Sequence, residues 1–365
     1  MIRLVWILAL ATLVACERGA ETAPAPESAQ PTPAATEAAP LAPDRAALAA
    51  RAKTVFGTLP SEAVSAANPI TDAKLALGRM LYYDTRFSKN QDLSCNSCHK
   101  LDAFGVDGEA TSPGHKGQRG ARNSPTVYNA ALQFVQFWDG RAADVEEQAK
   151  GPVLNPVEMA MPSEAYVLQV LDSIPGYAPL FAAAFPDDEK PINYDNFGRA
   201  IGAFERRLLT PSPVDAFIAG DLTALDDAQV RGLQAFLDTG CTTCHQGVGI
   251  GGGMYQKLGL VRPVETADEG RAAVTHNPAE KGFFKVPSLR NAAKTAPYFH
   301  DGSKATLDDA IRTMAAVQLG RDLGDEEVAA IRTFLESLSG TVDAAYIARP
   351  ELPESGPKTP KPDPS

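Results

Sequence analysis

Cysteine is scarce in this chain, with five among 365 residues, and tryptophan scarcer still, with two. No apolar run reaches the roughly 18 residues that a membrane-spanning helix needs; the nearest, Leu4 to Ala15, follows Met1-Ile2-Arg3 at the amino end. The net charge is −11, with no block of basic residues and no interleaving of Arg or Lys with aromatics, which sets nucleic acid aside as a partner. Apolar/polar alternation at the strand period is rare as well. What is present is a mainly helical pattern broken by long loops. Asp44, Thr71 or Asp72, and Asp226 or Asp227 stand where a helix N-cap belongs, each followed by apolar residues at helical spacing.

The few cysteines are not scattered. Four of the five fall in two copies of one pentapeptide, Cys95-Asn96-Ser97-Cys98-His99 and Cys241-Thr242-Thr243-Cys244-His245. C-x-x-C-H is the attachment signature of c-type haem: two thioethers hold the porphyrin, and the histidine supplies a ligand to iron. A redox dithiol beside an unrelated histidine is the rival reading of one copy; two copies, one in each half, make it a poor account of both. The fifth cysteine belongs to the leader. Leu13-Val14-Ala15-Cys16 resembles the bacterial lipoprotein lipobox, which implies cleavage before Cys16 and lipidation of that residue. Glu17 after the cysteine points to the outer rather than the inner membrane. The expected location is therefore the periplasmic side, lipid-anchored, where c-type haem is attached in bacteria.

The organisation read from composition has five parts. Residues 1–15 are a signal segment, and 16–43 are the lipidated cysteine and an Ala/Pro-rich tether too polar to build a core. Residues 44–210 and 211–349 form two domains, and 350–365 form a proline-rich flexible tail. The two domains are copies. Pro125-Thr126-Val127-Tyr128-Asn129-Ala130-Ala131 then Trp138-Asp139-Gly140 in the first answers Pro287-Ser288-Leu289-Arg290-Asn291-Ala292-Ala293 then His300-Asp301-Gly302 in the second. Two tandem cytochrome-c-like domains, each wrapping one haem, are the expected fold.

The copies differ where it matters. Met314 follows the second His-Asp-Gly at a spacing suited to an axial methionine, whereas Pro152 or Val153 stands at the matching place in the first half. Haem 2 is expected closed by His245 and Met314; haem 1, on His99, is expected able to open. Met159 and Met161 are off the repeat register and are assigned to packing.

From about Asp44 to Gly340 the chain resembles the bacterial dihaem cytochrome c peroxidases. The resemblance implies a distal ligand to haem 1 from His115, sixteen residues after His99, in a mobile Gly-rich loop. It implies Trp138 as an electron bridge between the haems, Glu158 as acid–base for peroxide, and Gln148 as its orienting partner. It also implies one calcium ion held by Asn123, Thr295 and Pro297, and a homodimer. The implied reaction is H2O2 + 2 e− + 2 H+ → 2 H2O, fed by a small cytochrome c or cupredoxin, with reduction of haem 2 releasing His115. Two alternatives stand beside it. One is a dihaem electron carrier or redox sensor without peroxidase activity; the other is a related dihaem enzyme that oxidises protein side chains, which carries tyrosine where this chain has Met314.

Overall fold

The computed structural model describes residues 44–365. The signal segment and the Cys16 tether lie outside the described residues. Among the described residues twelve α-helices carry the fold: α1 Arg45–Phe56, α2 Asp72–Tyr83, α3 Cys95–Cys98, α4 Val145–Leu154, α5 Glu164–Asp172, α6 Tyr177–Ala184, α7 Tyr194–Glu205, α8 Pro213–Ala219, α9 Asp227–Thr239, α10 Ala272–Thr275, α11 Leu307–Leu319 and α12 Asp325–Ser337. The only sheet among the described residues is a ladder of β1 Tyr255–Lys257 and β2 Phe283–Lys285, paired antiparallel. The mainly helical expectation holds. The caps resolve as well: Asp44 accepts from the backbone of Ala46 and Ala47, Thr71 from Lys74, and Asp226 from Gln229.

Each half is organised by one close helix crossing. In the first, α2 crosses α7 at Gly78, where a Cβ would collide with the Ala200 carbonyl oxygen; in the second, α9 crosses α12 at Gly232, where it would meet that of Ala330. Glycine lets the two backbones touch, and larger side chains fill the flanks. Leu77, Leu81, Tyr82, Phe87, Phe197 and Phe204 form the first core, and Leu233, Phe236, Ile331, Phe334 and Leu335 the second. Met159 and Met161 are buried in the first core, as packing residues.

Two segments cross the expected domain boundary. Helix α1, assigned by position to the first domain, packs in the second core: the Phe56 ring lies 6.4 Å from those of both Phe236 and Phe334. Conversely Val342, Tyr346 and Ile347 pack on the first core, with Tyr346 stacked on Phe204 at 5.0 Å and its hydroxyl donating to the Phe204 carbonyl. Each domain thus borrows a terminal segment from the other side of the chain. The tail also departs from expectation. Instead of hanging free, residues 350–365 run along the first domain: Arg86 donates to Pro353 O at 2.8 Å, Gln91 to Pro360 O at 2.8 Å, and Asp363 N to Lys89 O at 3.0 Å. Proline supplies extended backbone with bare carbonyls, and the first domain supplies side-chain donors for them.

One buried residue bonds to both repeats at once. The Thr210 hydroxyl accepts from the Asn129 amide at 2.8 Å and the Asn291 amide at 3.0 Å, and all three residues have no solvent exposure. Both asparagines adopt left-handed backbone, φ 60° and 61°, at equivalent points of the repeat. Gly232→Ala is expected to cost about 1–3 kcal/mol by overpacking the α9/α12 crossing. A urea titration of the holoprotein would show it as a lower midpoint, and an unchanged midpoint would mean the crossing can spread freely.

Candidate active site

Both C-x-x-C-H segments lie in single turns, α3 for Cys95–Cys98 and a 3-10 turn for Cys241–Thr243, which bring the two sulfurs and the histidine to one side. None of the four cysteines is in a disulfide. Burial pushes the thiols of Cys95, Cys98 and Cys241 up, the last to about 11, which is the reverse of what a reactive redox dithiol requires.

The histidines suit a metal. His99 places Nδ1 3.4 Å from the Gly105 carbonyl oxygen, which orients the ring and leaves Nε2 for coordination. Burial lowers its pKa and takes that of His245 to about 4, so both imidazoles are neutral, the ligand form. The Nδ1 of His245 is buried without a hydrogen-bond partner. Cys241, Cys244, His245 and Met314 all line one cavity of about 240 Å³, walled by Phe236, Leu289, Ile311 and Leu335. A flat apolar macrocycle with His and Met ligands fits that donor set. Met314 projects from α11; at the corresponding place in α4 stands Pro152, within the helix. No methionine occupies the first-half position.

Trp138, Asn123, Thr295 and Pro297 line the same cavity. Trp138 donates through Nε1 to the Asn123 carbonyl at 2.9 Å and meets His300, its counterpart in the repeat, edge-on at 6.3 Å. The Asn123 amide nitrogen is engaged by Glu109 O at 2.9 Å, which leaves its side-chain oxygen free. Asn123, Thr295 and Pro297, the residues expected to offer oxygens to calcium, thus share this cavity with the tryptophan.

On the first-domain side, Glu158 is half-buried in the turn after α4. Burial raises its carboxyl pKa, opposed by Arg141 and by the Asn155 amide, which donates to Oε1 at 3.0 Å. Gln148 sits half-buried on α4. His115 is tied to Glu158 directly, its backbone N–H donating to Glu158 O at 2.7 Å. The loop glycines divide in role: Gly117, at φ 71° with open space around it, is free to rearrange, whereas Gly114 is required because any side chain would strike Val157 O. The His115 ring is buried, and its Nε2 lies 3.1 Å from Ser365 O of the tail. Sequence reasoning missed that contact, because a proline-rich terminus carries no apolar periodicity to announce a docking site.

Two c-type haem cradles in one chain define a dihaem c-type protein. Residues 72–223 match the family model described as di-haem cytochrome c peroxidase, and residues 229–339 that of cytochrome c. The chain is 44% identical over 323 residues to the cytochrome c551 peroxidase of Pseudomonas aeruginosa, covering 87% of this chain and 92% of that protein. It is 42% identical to the cytochrome c551 peroxidase of Nitrosomonas europaea, with 87% and 95% covered. A solved MauG-like protein associated with microbial copper homeostasis is similar in fold, TM-score 0.72 at 28% identity, over 80% of this chain and 97% of that one. The chain belongs to the di-haem cytochrome c peroxidase family, and its cofactors are two haem c groups. Replacing Cys241 and Cys244 by serine is expected to leave one covalent haem per chain, measured by mass and by the alkaline pyridine spectrum. Two haems persisting would exclude this attachment.

Proposed function

We propose that this oxidoreductase reduces hydrogen peroxide to water in the periplasm, H2O2 + 2 e− + 2 H+ → 2 H2O, with electrons from a small cytochrome c or cupredoxin. The observation that carries the reading is the Glu158–His115 joint: the residue whose carboxyl pKa burial raises accepts, through its backbone carbonyl, the backbone N–H of the loop histidine. The haem on His99, when bound, supplies electrons and a coordination position for peroxide; the haem on His245 and Met314 stores an electron. Glu158 takes the proton from the near oxygen of peroxide through a carboxylate oxygen and returns it to the far oxygen, so that water leaves. Gln148 orients the substrate. A pure electron carrier would have no use for this pair.

His115 is the distal ligand of the resting first haem in this reading. Its Nε2 has a protein partner, Ser365 O, when it is not on iron. Trp138 carries electrons between the domains, and calcium on Asn123, Thr295 and Pro297 stiffens its surroundings. The leader places the enzyme on the periplasmic side with a lipid on Cys16, in the outer membrane, and the working form is a homodimer. The net charge of −11 favours an electropositive donor, so that salt slows donor turnover.

Glu158→Gln is expected to lower kcat about 10²–10⁴-fold with both haems retained; full activity would remove the acid–base role. The active form is the carboxylate, so activity falls as pH drops through the raised pKa. Asn155→Asp replaces the stabilising amide with a second negative charge and should move that acid limb to higher pH. His115→Ala should turn over peroxide from the fully oxidised state without prior reduction, with a high-spin first haem by EPR. Equal dependence on prior reduction in variant and wild type would sink the gating role.

A further inference from the structure

The cavity that holds the second haem set has an uncharged wall with one exception. Among the described residues Lys285, on β2, is its only lysine or arginine, and no aspartate or glutamate lines it. The side chain is 4% exposed. Its ammonium has one polar partner, the neutral Gln133 Oε1, and burial alone lowers its pKa to about 8, with no neighbouring charge to offset that. Arg122 nearby is already committed to Asp139 and Asp268. An ammonium buried against a single amide is a group built for an absent anion, because desolvation without a counter-charge is costly.

The placement says which anion. β1 and β2 pair Gln256 with Phe284 and Tyr255 with Lys285, and Gln256 reaches to 3.9 Å from Cys244 Sγ. Lys285 thus belongs to the ladder that borders the second haem attachment. Its backbone N–H donates to the Trp138 carbonyl at 2.8 Å, so the charge is also anchored to the bridging tryptophan. A c-type haem brings two carboxylates of its own, and they are the anions this cavity receives.

We propose that Lys285 is the counter-cation of a propionate of the haem held by Cys241, Cys244 and His245, and that its charge raises the potential of that haem. The inference rests on the dihaem reading. A fixed positive charge beside the porphyrin favours the reduced iron, which carries one positive charge less, so removing it lowers the potential. Lys285 is a positioning residue: it acts through the cofactor's carboxylate and not on peroxide.

The test is a spectroelectrochemical titration at pH 7 of the holoenzyme, Lys285→Met and Lys285→Arg, after the covalent haem count of each is established. Lys285→Met is expected to weaken reduction of the second haem about tenfold or more, which is about 59 mV for one electron. The first haem should keep its potential, and Lys285→Arg should restore the second to within about threefold of wild type. An unchanged second haem in Lys285→Met, an equal loss in Lys285→Arg, or a shift confined to the first haem would each overturn the assignment. If Lys285→Met does not accumulate as holoprotein, resonance Raman of Lys285→Arg decides. The propionate bending band of the second haem should move when guanidinium replaces ammonium, and an unmoved band overturns the pairing. A wild-type chain carrying other than two haems would instead refute the underlying dihaem reading.

Discussion

One buried hydroxyl bonds to both halves of this protein at equivalent points of the repeat. Thr210 receives amide hydrogens from Asn129 and Asn291, and each asparagine closes a matching circuit: Asn129 Oδ1 accepts from Thr210 N, Asn291 Oδ1 from Gly340 N. A single such bond is worth only about 0.5–1.5 kcal/mol net, but a buried amide left without a partner loses its whole hydration. The circuit therefore tolerates one arrangement of the two repeats. Trp138 and His300 stand at equivalent places after the two asparagines, and their rings meet edge-on.

Function comes from where that symmetry fails. Helices α4 and α11 are counterparts, yet one carries Pro152 and the other Met314, so the second half offers a thioether where the first offers none. Trp138 replaces His300 at the junction. Glu158 and the His115 loop are joined by a backbone hydrogen bond. The tail adds a further asymmetry: the first domain has an extended partner along one side, ending against the His115 ring. A duplicated scaffold has been kept for positioning and altered at a handful of points for chemistry.

Much of the site was legible in the sequence because covalent chemistry demands residues at short, strict spacing. The C-x-x-C-H pentapeptides, the repeat and the missing methionine needed no tertiary knowledge. Glu158 and Asn123 were legible only through family likeness, since a lone carboxylate or a ligand acting through oxygen leaves no local pattern. The structure adds that Glu158 is desolvated and that Asn123 keeps its side-chain oxygen free, both consequences of neighbours distant in the chain. Helix α1 illustrates the limit. Its apolar face at Leu48, Ala52 and Phe56 says that it packs, but not on which core, and chain order suggested the nearer one.

By itself the sequence determined what is bonded covalently or capped locally: two attachment sites, the helical elements with their Asp44, Thr71 and Asp226 caps, and the difference between the repeats at Pro152 and Met314. Those features depend on residues within a turn or two of one another. Only the tertiary structure decided which terminal segment completes which domain, that residues 350–365 dock instead of hanging free, and that Lys285 is buried with no opposing charge. Each of those is settled by burial and by partners far along the chain, where spacing carries no information.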